Sequence, residues 1–169
     1  MSVRPELEGR NLWDELMGLR DQQRAERANG LQVVRRKDLP AELNSHGIMR
    51  WYMHPFIKDL ALSTLSIVEQ EIPAGSRSGR LKFQGGQIMF IIEGEGYTTI
   101  DGVKYKWKRR DVLNLPLKKD GIVIQHFNSG DTPARFLVVE PNLYAATSVD
   151  RGCGFEQLEA SPDFINKSA

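Results

Sequence analysis

The chain has 169 residues, and its 23 Lys and Arg against 22 Asp and Glu leave a formal net charge of +1, not the basic surplus of a nucleic-acid binder. Apolar residues at 40% and charged residues at 27% fit one packed domain rather than a disordered chain, and no apolar run approaches a membrane span. The single cysteine, Cys153, excludes a disulfide framework or a Cys-based zinc site within the chain.

The first thirty residues read as a helix. Asn11 is the N-cap, Leu12, Leu16 and Leu19 recur at helical spacing beside Trp13 and Met17, and Gly30 is the stop. The N-terminus, with Arg4, Glu6, Glu8 and Arg10, has no signal-peptide core, so a reducing cytoplasm is the expected compartment. From Leu31 the pattern turns β-prone. The segment Arg50-Trp51-Tyr52-Met53-His54-Pro55-Phe56 concentrates the residue types of interface cores, and Pro55 stiffens an extended form. It is expected to be an extended arm that enters a partner and helps line its pocket; within it His54 is read first as a structural histidine, and otherwise as a hydrogen-bonding group in that pocket. The competing reading is a strand packed on the chain's own barrel.

Short strands follow over 61–72, 87–92, 97–100, 103–107, 112–115, 122–127 and 134–140, with Pro141 closing the pattern. Residues 73–79 form a Gly/Ser/Arg turn, and Asp101-Gly102 is a strong hairpin signal. Val103, Tyr105 and Trp107 alternate with lysines, which predicts one buried face and one solvated face. The expected organisation is a helix over 1–30, an extended arm region over 31–60, a barrel over 61–141 and an irregular C-terminal extension over 142–169. The fold class is mostly β, a sandwich or jelly-roll barrel.

The middle of the chain resembles a cupin, a double-stranded β-helix. Gly75, Leu81, Phe83, Gln87 and Gly94 stand at the intervals where the first cupin motif has Gly, His, His, Glu and Gly. Arg110, Pro116, Gly121, Ile124 and Asn128 stand where the second has Gly, Pro, Gly, His and Asn, with a lengthened Pro-to-Gly interval. The four ligand positions of the family therefore hold Leu81, Phe83, Gln87 and Ile124. Three of these have no lone pair to give a metal, and the amide of Gln87 is one weak neutral donor. No metal is expected in this barrel; a packed apolar interior is expected instead.

Ser76–Arg80, Ile91–Tyr97 and Gln125–Asp131 are similar to the gentisate dioxygenase side of the cupins. A metal-free single cupin of this size resembles the small subunit of the two-component hydroquinone 1,2-dioxygenases. That resemblance implies no cofactor in this chain and Fe(II) in a larger cupin partner. It also implies an α2β2 heterotetramer and oxygen-dependent cleavage of hydroquinone to 4-hydroxymuconic semialdehyde. On that reading the small chain contributes no catalytic residue; it stabilises the large subunit and helps line its active site through Arg50, Trp51, Tyr52, His54 and Phe56. Two alternatives stand beside it: a metal-free cupin enzyme of the isomerase or epimerase type, and a non-catalytic binding cupin.

Other residues are read as follows. His126 shares a strand face with Ile124 and is expected to point into the barrel, as a core histidine bonded to a Tyr or to Asn128 rather than as a general base. Arg77 and Arg80 suit an anion or a partner carboxylate, but a solvated loop is the plainer reading. Cys153 has no activating neighbour beyond Arg151 and is read as incidental.

Overall fold

The computed structural model describes residues 4–142 and 155–168. A 3-10 turn over Pro5–Leu7 precedes α1, Leu12–Ala28. Asn11 caps α1 as its chemistry dictates, its Oδ1 accepting the Asp14 N–H at 3.3 Å. The helix buries none of its residues. Leu12, Leu16 and Leu19 are about half exposed and Trp13 is 67% exposed. The apolar stripe read from the spacing is real, but no barrel side chain covers it.

The strands are β1 (Glu42–Asn44), β2 (Gly47–Met53), β3 (Leu65–Ile72), β4 (Arg80–Phe83), β5 (Gln87–Glu93), β6 (Glu95–Ile100), β7 (Val103–Lys108), β8 (Val112–Leu115), β9 (Ile122–Asn128), β10 (Ala134–Pro141) and β11 (Glu156–Glu159), followed by α2 (Pro162–Ser168). They form two antiparallel sheets, ordered β1-β2-β3-β10-β5-β8 and β11-β4-β9-β6-β7. Apart from β1-β2-β3 and the β6–β7 hairpin, neighbouring strands are far apart in sequence, which is the jelly-roll pattern. Asp101 and Gly102 turn the β6–β7 hairpin with φ of 51° and 83°, both left-handed as a tight hairpin requires.

Alternation along the strands sends one set of side chains inward. Ile72, Met89, Ile91, Trp107, Ala134 and Phe136 form one buried cluster, and Leu81, Phe83, Ile100, Leu115, Ile122 and Ile124 form a second. Leu113 packs against both.

Several expectations are corrected. The segment expected to be a free arm is largely β2, bonded to β1 on one side and to β3 on the other. Its alternation explains this: Met49 and Trp51 turn toward the barrel cavity, while Arg50 is paired in register with Glu69 and lies 3.5 Å from that carboxylate and 3.3 Å from Glu71. Glu69 is 1% exposed although its strand position points it away from the core. Arg36 reaches it from the 3-10 turn over Arg36–Asp38, its Nε donating to both oxygens at 2.9 and 3.0 Å.

In β7 only Trp107 is buried; Val103 and Tyr105 are 55% and 45% exposed. β7 is the last strand of its sheet, so its far end has neighbours on one side only. The described part of the C-terminal extension is ordered as β11 and α2 rather than irregular. Cys153 lies outside the described residues. Arg77 and Arg80 reach Glu159 of β11 at 3.1 and 3.8 Å, which ties the turn over 73–79 to that extension. Among the described residues, no helix is long and apolar enough to cross a membrane.

Candidate functional site

The barrel interior is not completely filled. A cavity of about 260 Å³ opens between the sheets, lined in part by Leu81, Gln87 and Ile124. These are three of the four positions where the motif spacing places ligands in cupins. Leu81 and Ile124 sit opposite one another in the β4–β9 register, and Gln87 begins β5. Phe83, the fourth, is 2% exposed within the second apolar cluster and packs against Phe155 with ring centroids 5.4 Å apart. The donor set does not fit a catalytic metal. Two of these positions are hydrocarbon at the cavity wall, and the Gln87 amide donates to a Glu140 oxygen at 2.6 Å. No group of three or more His, Cys, Asp or Glu among the described residues can hold an ion.

The cavity does hold two imidazoles, His46 and His126, with ring centroids 6.3 Å apart. His46 sits at the tip of the β1–β2 hairpin. Asn44 Oδ1 accepts from the backbone N–H of His46 at 2.9 Å and of Gly47 at 3.2 Å, an Asx turn. Gly47 has φ of 146°, and a Cβ there would lie 3.0 Å from the Gln70 amide nitrogen. The His46 carbonyl accepts from Gln70 Nε2 at 2.9 Å and from the Gly79 N–H at 3.1 Å. Two strands and a loop therefore fix this histidine.

His126 points inward as its strand face requires and is 1% exposed. Its partner is Thr98 on β6, with Oγ1 2.8 Å from Nδ1, rather than a Tyr or Asn128. Asn128 is occupied elsewhere, its Nδ2 donating to the carbonyls of Ile72, Pro73 and Thr132. Trp107 Nε1 donates to the same Thr98 oxygen at 3.0 Å. All three groups are satisfied when the Thr98 hydroxyl donates its hydrogen bond to His126 Nδ1. The network thus assigns the ring proton to Nε2.

Burial holds both rings neutral. It pushes the imidazole of His46 down to about 4. Burial, aided by the nearby His46, pushes that of His126 down to about 3. Neither ring has a carboxylate hydrogen-bond partner among the described residues. An epimerase-type base needs an imidazole made more basic by such a partner and poised near neutral pH. His126 has the opposite environment.

The residues singled out in the aromatic segment separate. Trp51 lines the cavity and donates Nε1–H to Glu42 at 2.9 Å. Arg50 belongs to the ion-pair cluster on the outer face. Tyr52 is half-buried, its phenol raised above the usual range by burial and by the Glu69 carboxylate. His54 packs between Trp51 and Phe56, at 4.7 and 5.4 Å, and its Nδ1 accepts the Phe56 N–H. Phe56 is 66% exposed. His46 and Gln70 carried no site signal in sequence; they meet His126 only through sheet pairing and hairpin docking.

No protein-family model matches the sequence, and no curated protein matches it. Solved structures do. The polyketide cyclase RemF from Streptomyces resistomycificus aligns with TM-score 0.59 and 16% identity, over 82% of this chain and 92% of its own. A double-stranded β-helix protein from Klebsiella pneumoniae aligns with TM-score 0.55 and 18% identity, over 76% of this chain and 98% of its own. A cupin 2 conserved barrel protein from Salinispora arenicola aligns with TM-score 0.50 and 19% identity, over 64% of this chain and 85% of its own. Likeness at these identities is a statement about architecture, and with the sheet order it is sufficient for one conclusion: this chain has the cupin fold.

Proposed function

We propose that this chain is the metal-free small subunit of an Fe(II)-dependent ring-cleaving dioxygenase of the hydroquinone-cleaving type, paired with a larger cupin chain in an α2β2 assembly. The observation that carries the reading is the occupation of the four motif ligand positions by Leu81, Phe83, Gln87 and Ile124 on an intact cupin scaffold. The exposed apolar stripe of α1 adds to it, since Trp13 and three leucines in water call for a covering surface. In this reading oxygen activation belongs to the iron of the larger chain. The small chain stabilises that chain and excludes water at their junction. The contact surface is α1, with the exposed ring of Phe56 as a further candidate; β2 itself stays in its own sheet.

The test is capture of the tagged full-length chain from its native cells, followed by native mass and iron analysis. The expected result is a heterotetramer with iron and ring-cleaving activity, both absent from this chain alone. Iron and ring cleavage by this chain alone would sink the proposal, as would a homodimer that ignores the larger cupin.

The helix supplies a sharper check. Trp13→Ser and Leu16→Ser remove exposed side chains, so the unfolding midpoint of the free chain should move by no more than about 0.5 kcal/mol equivalent. If α1 is the contact surface, Trp13→Ser should weaken assembly with the larger chain by about thirtyfold, the size of a buried aromatic anchor. Unchanged affinity in both variants would remove α1 from the interface.

A further inference from the structure

The cavity is built in a way the small-subunit role does not use. Its wall is largely hydrocarbon, with Met49, Val68, Leu81, Ile124 and Val138. Into it are set polar groups that are almost wholly buried. Gln70 is 0% exposed; its Nε2 is spent on the His46 carbonyl, and its Oε1 has no partner. The Nδ1 of His46 is likewise buried without a partner. A buried polar atom left unpaired costs about 1–3 kcal/mol, so on this wall Gln70 Oε1 calls for a hydrogen-bond donor and His46 Nδ1 for a donor or an acceptor, according to which ring nitrogen holds its proton. On the same wall the Thr98 hydroxyl fixes His126 Nδ1 as an acceptor, which leaves its Nε2–H as a donor with no protein partner among the described residues.

Size and charge narrow the occupant. A dry apolar cavity of about 150 Å³ accepts a benzene ring. The 260 Å³ here therefore has room for one ring with a substituent. No lysine or arginine lines it among the described residues, and its one carboxylate, Glu140, is already bonded by Gln87. An anion would meet no counter-charge and a nearby carboxylate. Water alone would satisfy the polar atoms but leave the hydrocarbon wall wet. What matches is an apolar body with a hydroxyl, which gives one hydrogen bond and takes another.

The geometry points to the barrel interior as a binding site for a small neutral hydroxylated molecule, with a single-ring phenol as its best match. The site lies wholly within this chain and does not depend on whether a larger subunit exists.

The experiment is a titration of the full-length chain, isotope-labelled at its histidine rings, with phenol, toluene and benzoate in turn. Phenol should bind saturably and shift the ring signals of His46 and His126 together, leaving His54 in place. Toluene, which fills the same space without the hydroxyl, should bind about tenfold more weakly, and benzoate should not bind. Gln70→Leu removes the orphaned oxygen at similar volume; it should erase the preference for phenol over toluene while keeping toluene binding. Should that variant fail to fold, the phenol-to-toluene ratio and the two histidine shifts in the natural chain decide the matter. Equal binding of benzoate and phenol would overturn the inference. So would phenol binding that leaves both buried histidines unmoved, or a cavity that takes water only.

Discussion

Between pH 7.5 and pH 5 the folded chain should lose roughly 4 kcal/mol of stability, about 2 kcal/mol for each buried histidine. The sign follows from the burial. In the unfolded chain both rings titrate near 6.5, while in the fold they are held to about 4 and about 3. Below pH 6.5 the unfolded state therefore binds protons that the native state refuses, and stability falls as pH falls. The contribution is fully present above 6.5 and is lost progressively down to the folded values. Glu93 and Asp101 do not blur this window. Both are lowered, chiefly by hydrogen bonds from Arg135 and Lys118, so what they contribute is lost only below the ordinary carboxylate range. Urea unfolding at pH 7.5 and pH 5.0 measures the slope directly. Double replacement, His46→Gln with His126→Gln, should flatten it whatever it does to absolute stability. An unchanged slope in the double variant would mean that the rings are not buried neutral.

Replacing Arg36 should destabilise the fold by about 2–3 kcal/mol, an unusual effect for a residue whose side chain is 40% exposed. The reason is its partner. Glu69 is 1% exposed, and Arg36 makes the two short hydrogen bonds to it, with Arg50 more distant at 3.5 Å. Arg36→Met leaves a buried carboxylate with only the weaker counter-charge. The cost is that of the stranded charge rather than of a lost contact, so Arg36→Met combined with Glu69→Gln should recover most of it. A double-mutant cycle should then show strong coupling between the two. The same variant should speed proteolysis near residues 31–38, since Arg36 fastens that segment to the sheet. A single variant within about 0.5 kcal/mol of the natural chain would contradict this account.

These two effects also mark what sequence could and could not tell. The barrel strands were legible because alternation, the Asp101-Gly102 turn and Pro141 are local signals. Cupin spacing survived the loss of its ligands because intervals such as Gly75 to Gly94 reflect the length of strand and turn, not metal chemistry. β1, β4 and β11 are three or four residues long and lie in polar stretches, Glu42-Leu-Asn44, Arg80-Leu-Lys-Phe83 and Glu156-Gln-Leu-Glu159, with one or two apolar residues each. The cavity was hidden for another reason. His46, Gln70 and His126 come from separate parts of the chain, and in β3 Gln70 reads like one more polar residue between two glutamates. The dense aromatic segment drew attention as an arm, yet its strand alternation is satisfied within its own sheet. The exposed element is α1, whose pattern gives an apolar face but does not say what covers it.

The Trp107–Thr98–His126 chain has a direction. Thr98 can accept from the indole and give to the imidazole, but it has one proton and cannot give both ways. Protonating His126 at Nδ1 would force Thr98 to accept from both neighbours, stranding its own hydroxyl proton in a residue that is 0% exposed. Charge at the cavity is thereby felt at an indole that is 4% exposed in the core. Trp107 is thus joined to the cavity's imidazole through a single hydroxyl.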